Sequence, residues 1–192
     1  MKFLDALLGR TRTPKPVTDP LFALSTAWVT LQSEVGYKPA GRAGVVLRPA
    51  ASHQFAEAEK GVDSLLELAA RDMGSKVETR KDDFGYLWLL IVDRDWEDQV
   101  ALVHMAGTTL SEEGFGEQLL AGVFRLEKEG EGGTLYLIYG YKRGKFYPFM
   151  PRPGGAKERD ESGEMRVYAL LERELPWEKD TSRWYPLWDC PV

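Results

Sequence analysis

The sequence predicts an α+β fold, with a mostly antiparallel sheet and helices packed on one face. Three observations carry this. Apolar residues recur at helical spacing in three stretches, at Leu21, Leu24, Trp28 and Leu31, then from Phe55 to Ala70, then at Trp96, Val100, Val103, Gly107 and Leu110. Between and after them stand short apolar or alternating runs with strand character. The links between successive strands, residues 81–85 and 127–133, are of turn length, which favours antiparallel neighbours.

Residues 1–10 place Phe3, Leu4, Leu7 and Leu8 on one face of a short amphipathic helix, with Lys2 and Arg10 at its ends. So short a helix is ordered by the surface on which it lands. That surface is either its own domain, or a membrane interface or partner groove. Residues 11–20 carry three prolines and two bases and read as an extended linker. The expected organisation is an N-terminal segment with its linker, 1–18, and a single α+β domain, 19–192, closed by an aromatic tail.

Within the domain, Asp19 before Pro20 marks a helix start, and Gly36 its end. Residues 37–42 read as loop, and the apolar run 44–47 as a buried strand. Ser52 opens a second helix that stops at Gly74. Residues 76–80 alternate weakly, as an edge strand does. Residues 86–92, YLWLLIV, are too continuously apolar for anything but a central strand. A helix follows from about Asp95 and breaks at 112–116. Strands follow at 118–125 and 134–141, and then a basic hairpin. Residues 166–173 fit either a strand or a helix. After the first helix the order is strand, helix, strand, strand, helix, strand, strand, strand, which suggests a βαββ duplication without any residue-level repeat.

Composition narrows the classes of function. The formal net charge is −5, which argues against nucleic-acid binding by the surface as a whole. One cysteine, Cys190, excludes an internal disulfide and a cysteine-rich metal site. The N-terminus is too interrupted by charge for a signal peptide, and no run approaches a bilayer span, so the expected location is cytoplasmic. The absence of Asn, with many Glu and Arg, leans toward a thermophilic source.

No residue pattern identifies a reaction. Gly41, Gly44, Gly114 and Gly116 lack the spacing of a phosphate loop. His53 and His104 are the only histidines and read as helix residues rather than ligands. Ser111 with Glu112 and Glu113 is a local cap, Asp82-Asp83 a solvated turn, and the acids from Asp93 to Asp98 suit the start of a helix. No catalytic residue, metal or cofactor is expected.

The stretch 139–157, YGYKRGKFYPFMPRPGGAK, is the exception to an otherwise acidic chain. It holds Lys142, Arg143, Lys145, Arg152 and Lys157 with no acid, and Tyr141 and Phe146 flank the first bases. Read plainly, it is a surface hairpin whose bases keep an edge soluble while Tyr141, Phe146 and Phe149 meet the aromatic tail at Trp184 and Trp188. Read for function, Lys142, Arg143, Lys145 and Arg152 with Tyr141 and Phe146 form a contact for an anionic partner. The absence of an RNP-type signature speaks against nucleic acid. A rival reading is a small-molecule pocket between sheet and helices, lined by Trp88, Tyr136, Lys142 and the tail tryptophans. A third is a homodimer joined through an exposed strand edge.

Four segments resemble one family. MKFLDALLGR with the Pro-rich linker, LSEEGFGEQLLAGVFRL, YGYKRGKFYPFMP and LPWEKDTSRWYPLW are similar to the PspA-associated protein family PspAB. The resemblance implies a cytoplasmic accessory of a phage-shock, membrane-stress response. It would act beside a PspA-like, lipid-binding coiled-coil protein, peripherally at the inner membrane face. It implies no enzymatic activity and carries over no active-site residues. On this reading Phe3, Leu4, Leu7 and Leu8 supply the membrane or partner contact.

Overall fold

In the computed structural model the described residues are 18–130, 132–154 and 157–192. The amphipathic stretch with Phe3, Leu4, Leu7 and Leu8, and the linker up to residue 17, lie outside them. One six-stranded sheet organises the rest, in the order β2-β3-β1-β4-β5-β6, with every adjacent pair antiparallel. Its strands are β1 (Tyr37–Leu47), β2 (Lys76–Lys81), β3 (Leu87–Val92), β4 (Leu119–Lys128), β5 (Thr134–Gly140) and β6 (Lys145–Phe149). The helices are α1 (Leu24–Val35), α2 (His53–Met73), α3 (Trp96–Leu110) and α4 (Glu161–Leu170). The fold is α+β, as the periodicities require.

Local chemistry sets the helix ends. The Ser52 hydroxyl accepts from the Phe55 N–H at 3.1 Å to start α2, and Gly74 ends it in the left-handed region at φ 76°. The Asp95 carboxylate accepts from the N–H groups of Glu97 and Asp98 to start α3. The predicted stripe of that helix is buried throughout. The first helix differs from expectation at its start. A 3₁₀ turn, Asp19–Ala23, precedes α1, and Asp19 does not cap it. Residues 166–173, left open by the sequence, belong mainly to α4, because Asp160 caps that helix by accepting from the Gly163 N–H.

One expected loop is strand. Residues 37–42 belong to β1, where Tyr37, Lys38 and Pro39 pair with Lys128, Glu127 and Leu126 of β4. The register shifts between Pro39 and Arg42, and Gly41 sits at φ 73° with its carbonyl accepting from the Asp93 N–H. Its polar, Pro- and Gly-bearing sequence hides this half because it is bulged and pairs with only one neighbour before Arg42. The helix-then-hairpin pattern does occur twice. The strand order does not repeat, because the first hairpin meets β1 through its second strand and the next through its first.

Two clusters of buried side chains cover the two faces. On one, α1, α2, α3 and Val167 of α4 pack over the sheet, with Trp96 donating its indole N–H to the Leu24 carbonyl at 2.8 Å. On the other, Val46, Trp88, Val123, Ile138 and Phe149 lie under Trp184, Leu187, Trp188 and Val192 of the tail. The predicted aromatic seam is divided between these faces. Phe149 meets Trp188 edge-on at 4.9 Å, whereas Tyr141 and Phe146 point to the helix side. Phe146 and Phe149 stand three positions apart on β6, so alternation puts them on opposite faces. The Tyr141 ring lies against Gly107 of α3, where a Cβ would come within 2.7 Å of it.

Candidate functional site

β6 ends the sheet, and the chain itself covers much of its outer edge. The Phe146 N–H donates to the Pro176 carbonyl at 2.8 Å, and the Glu178 N–H donates to the Phe146 carbonyl at 2.8 Å. Residues 176–178 thus add a short parallel bridge. Further along, Pro148 has no N–H to offer, and the Met150 N–H donates to the Glu164 carboxylate at 2.9 Å. Glu164 is buried and receives both the Nε of Arg159, at 3.0 Å to each oxygen, and its Nη2 at 2.8 Å. Arg159 also donates to the Trp184 carbonyl at 2.8 Å and stands over the Phe149 ring. Burial lifts the Glu164 carboxyl above its ordinary value, against the pull of Arg159 and the Met150 N–H.

This construction places the predicted site residues. Tyr141 and Phe146 are fully buried and therefore serve the core, not a contact surface. Gly144, at φ 64°, lets the turn between β5 and β6 close and leaves Lys142, Arg143 and Lys145 exposed around it. Arg143 forms an ion pair with the buried Glu178, Arg152 stands 3.9 Å from Asp160, and Lys157 lies 3.0 Å from Asp189. Lys142 and Lys145 make no ion pair with another described residue. The predicted basic set is therefore divided: Arg152 lies at the opposite end of β6 from the turn.

Arg143 and Lys145, at the turn, border two adjoining open hollows. One, of about 460 Å³, is lined by Lys145, Tyr168, Glu172, Arg173, Pro176, Trp177 and Lys179 among others, and the other, of about 320 Å³, by Arg143, Lys145, Trp177, Glu178 and Lys179. Four cationic side chains and two carboxylates thus share one rim, and one of those carboxylates is already paired with Arg143. Arg173 and Lys179 belong to this group, and sequence reading missed them. The clue was LPWEK at 175–179, a Trp flanked by a base, but only the pairing of 176–178 with β6 brings it beside the turn.

The other candidates are structural. The Trp88 indole N–H donates to Asp82, which also accepts from the N–H groups of Phe84 and Tyr86, so Asp82 holds the β2–β3 turn. Trp177 and Trp184 donate to the carbonyls of Leu171 and Glu178, each at 2.8 Å. Tyr136 and Cys190 are neighbours under the tail, and burial raises both groups above their ordinary values. A thiol shifted that way is a poor nucleophile. His104 stands 3.7 Å from Asp19 with the Phe22 ring 4.5 Å away. No cluster of potential metal ligands occurs among the described residues. Among the same residues, no helix is long and apolar enough to cross a membrane.

The geometry is that of an α+β protein with an open cationic rim beside the β5–β6 turn. The chain belongs to the PspA associated protein B family, PspAB, whose model matches residues 1–192. The family name ties it to PspA. No curated protein and no solved structure matches it.

Proposed function

We propose that this chain is a non-enzymatic accessory of a PspA-type membrane-stress response, acting as an adaptor that holds an acidic segment of a PspA-like coiled coil in the rim groove. The observation that carries the reading is the convergence of Arg143, Lys145, Arg173 and Lys179 on one open rim of an otherwise acidic chain. Strongly hydrated, exposed ammonium groups favour a charged, reversible contact over a closed pocket. The family name supplies the partner. Phe3, Leu4, Leu7 and Leu8 provide a second contact, with the membrane or the same partner. Two weak attachments on one chain reinforce each other through effective concentration. The site of action is the cytoplasmic face of the membrane.

Co-flotation with anionic liposomes and a PspA-like protein tests this. The full chain should float with the partner, and deletion of residues 1–12 should weaken that recovery. A Lys145→Glu, Lys179→Glu variant should lose partner binding. Absence of any binding to lipid or partner, alone or combined, would sink the proposal.

A further inference from the structure

The opposite edge of the sheet carries an independent feature. Among the described residues, β2 has β3 as its only strand neighbour. The Asp82 N–H donates to the Tyr86 carbonyl, and the Gly85 N–H to the Asp82 carbonyl, so the hairpin closes on the Asp82–Tyr86 pair. Because hydrogen-bonded pairs alternate along an antiparallel ladder, Lys76, Glu78 and Arg80 turn their backbone groups toward Val92, Leu90 and Trp88. Val77, Thr79 and Lys81 therefore turn theirs outward. An open row of this kind is a template for another strand.

We propose that two copies of this chain associate by antiparallel pairing of their β2 edges about a two-fold axis through Thr79. Parity and charge both select that register. Two-fold pairing must set outward-turned residues opposite one another, which admits only registers centred on a residue, not between two. Centred on Glu78, the edges would oppose Glu78 to itself and Lys76 to Arg80. Centred on Arg80, they would oppose Arg80 to itself and Glu78 to Asp82. Centred on Thr79, Glu78 faces Arg80 and Lys76 faces Asp82, each twice. Val77 and Lys81 then form the hydrogen-bonded pairs on either side of the axis. The Glu78–Arg80 pairs fall at non-hydrogen-bonded positions, where side chains approach most closely.

Exposed apolar residues fit the same arrangement. Phe84, at the tip of the β2–β3 turn, is 78% exposed. Counting outward from Thr79, it falls level with Gly74 of the second copy, where the space around the Cα is open. These charges repel in the adjacent registers, centred on Glu78 or Arg80, and registers centred on Val77 or Lys81 pair a shorter stretch of β2, so the edge favours one register with a second copy. Six residues of edge pairing suit a weak dimer, with a dissociation constant on the order of micromolar.

Sedimentation of the full chain over a wide concentration range tests the proposal. The wild type should show a monomer–dimer equilibrium that weakens as salt rises. Glu78→Arg should raise the dissociation constant by roughly tenfold or more, since it turns two attractive pairs repulsive. Adding Arg80→Glu to it should restore the dimer, with circular dichroism confirming that both variants fold. A wild type monomeric up to about 1 mM overturns the proposal. So does a dimer indifferent to Glu78→Arg, or one that the charge swap fails to restore.

Discussion

The two edges of the sheet solve the same problem in opposite ways. At β6 the chain spends its own residues on covering the edge: residues 176–178 pair with Phe146, Pro148 withholds a donor, and Glu164 takes the Met150 N–H. At β2 nothing covers the edge among the described residues, and charge alone decides what may approach. A covered edge becomes rigid, and it can support a surface whose side chains hold fixed positions. The cationic rim stands on such a support. An open edge stays available, and its alternating charges disfavour the registers centred on Glu78 or Arg80.

That contrast can be broken most severely at the covered edge. Glu164→Ala leaves the largely buried Arg159 guanidinium without its carboxylate and the Met150 N–H without its acceptor. The expected loss is about 3–5 kcal/mol of stability by urea denaturation. Trp177→Ala should cost a similar amount, about 3–5 kcal/mol, because it removes a buried indole from the segment that pairs with β6. It should also expose the edge, so that light scattering reports aggregation absent from the wild type. A smaller effect separates helix layer from sheet. Gly107→Ala forces a methyl into the Tyr141 ring and should cost about 1–3 kcal/mol.

Hydrogen exchange sharpens the comparison without mutation. The amides of Phe146 and Glu178 should be protected at every protein concentration, and those of Val77, Thr79 and Lys81 only where the dimer forms. The smallest expected effect lies at the helix that backs the covered edge. Hydrogen bonds from the Ser162 hydroxyl and the Gly163 N–H hold the Asp160 carboxyl below its ordinary value of 3.8. A depressed carboxylate contributes stability that is present above the unfolded value and is lost as pH falls through the folded one. Asp160→Asn should therefore flatten the acid limb of the stability profile below about pH 4, leaving the rest of the curve parallel to wild type.

How much of this was legible in the sequence depended on whether the signal was local. Ser52, Gly74 and the stripe of α3 were readable because caps and helical periodicity act within a few residues. The strand half at residues 37–42 was not, because its pairing with β4 is long-range and its own residues are those of a turn. The candidate site was half legible. Lys142, Arg143 and Lys145 stood out as a basic run, but Tyr141 and Phe146 beside them are core, and only alternation in the folded strand assigns them there. For Arg173 and Lys179 the only local clue was LPWEK at 175–179, which does not say what it lies beside. They join the site through the bridge between Phe146 and Trp177. The residues that finish a surface are thus placed by tertiary pairing, which no window of sequence contains.

The measurement that bears most directly on the proposed role is the affinity of the full chain for a PspA-like protein, compared with the Lys145→Glu, Lys179→Glu variant. Neither lysine is ion-paired with another described residue, so the variant's stability should stay within about 0.5 kcal/mol of wild type. Binding by the wild type should weaken with rising salt and fall by roughly tenfold or more in the variant. Equal affinity in the two proteins, at low salt and with both folded, would contradict it.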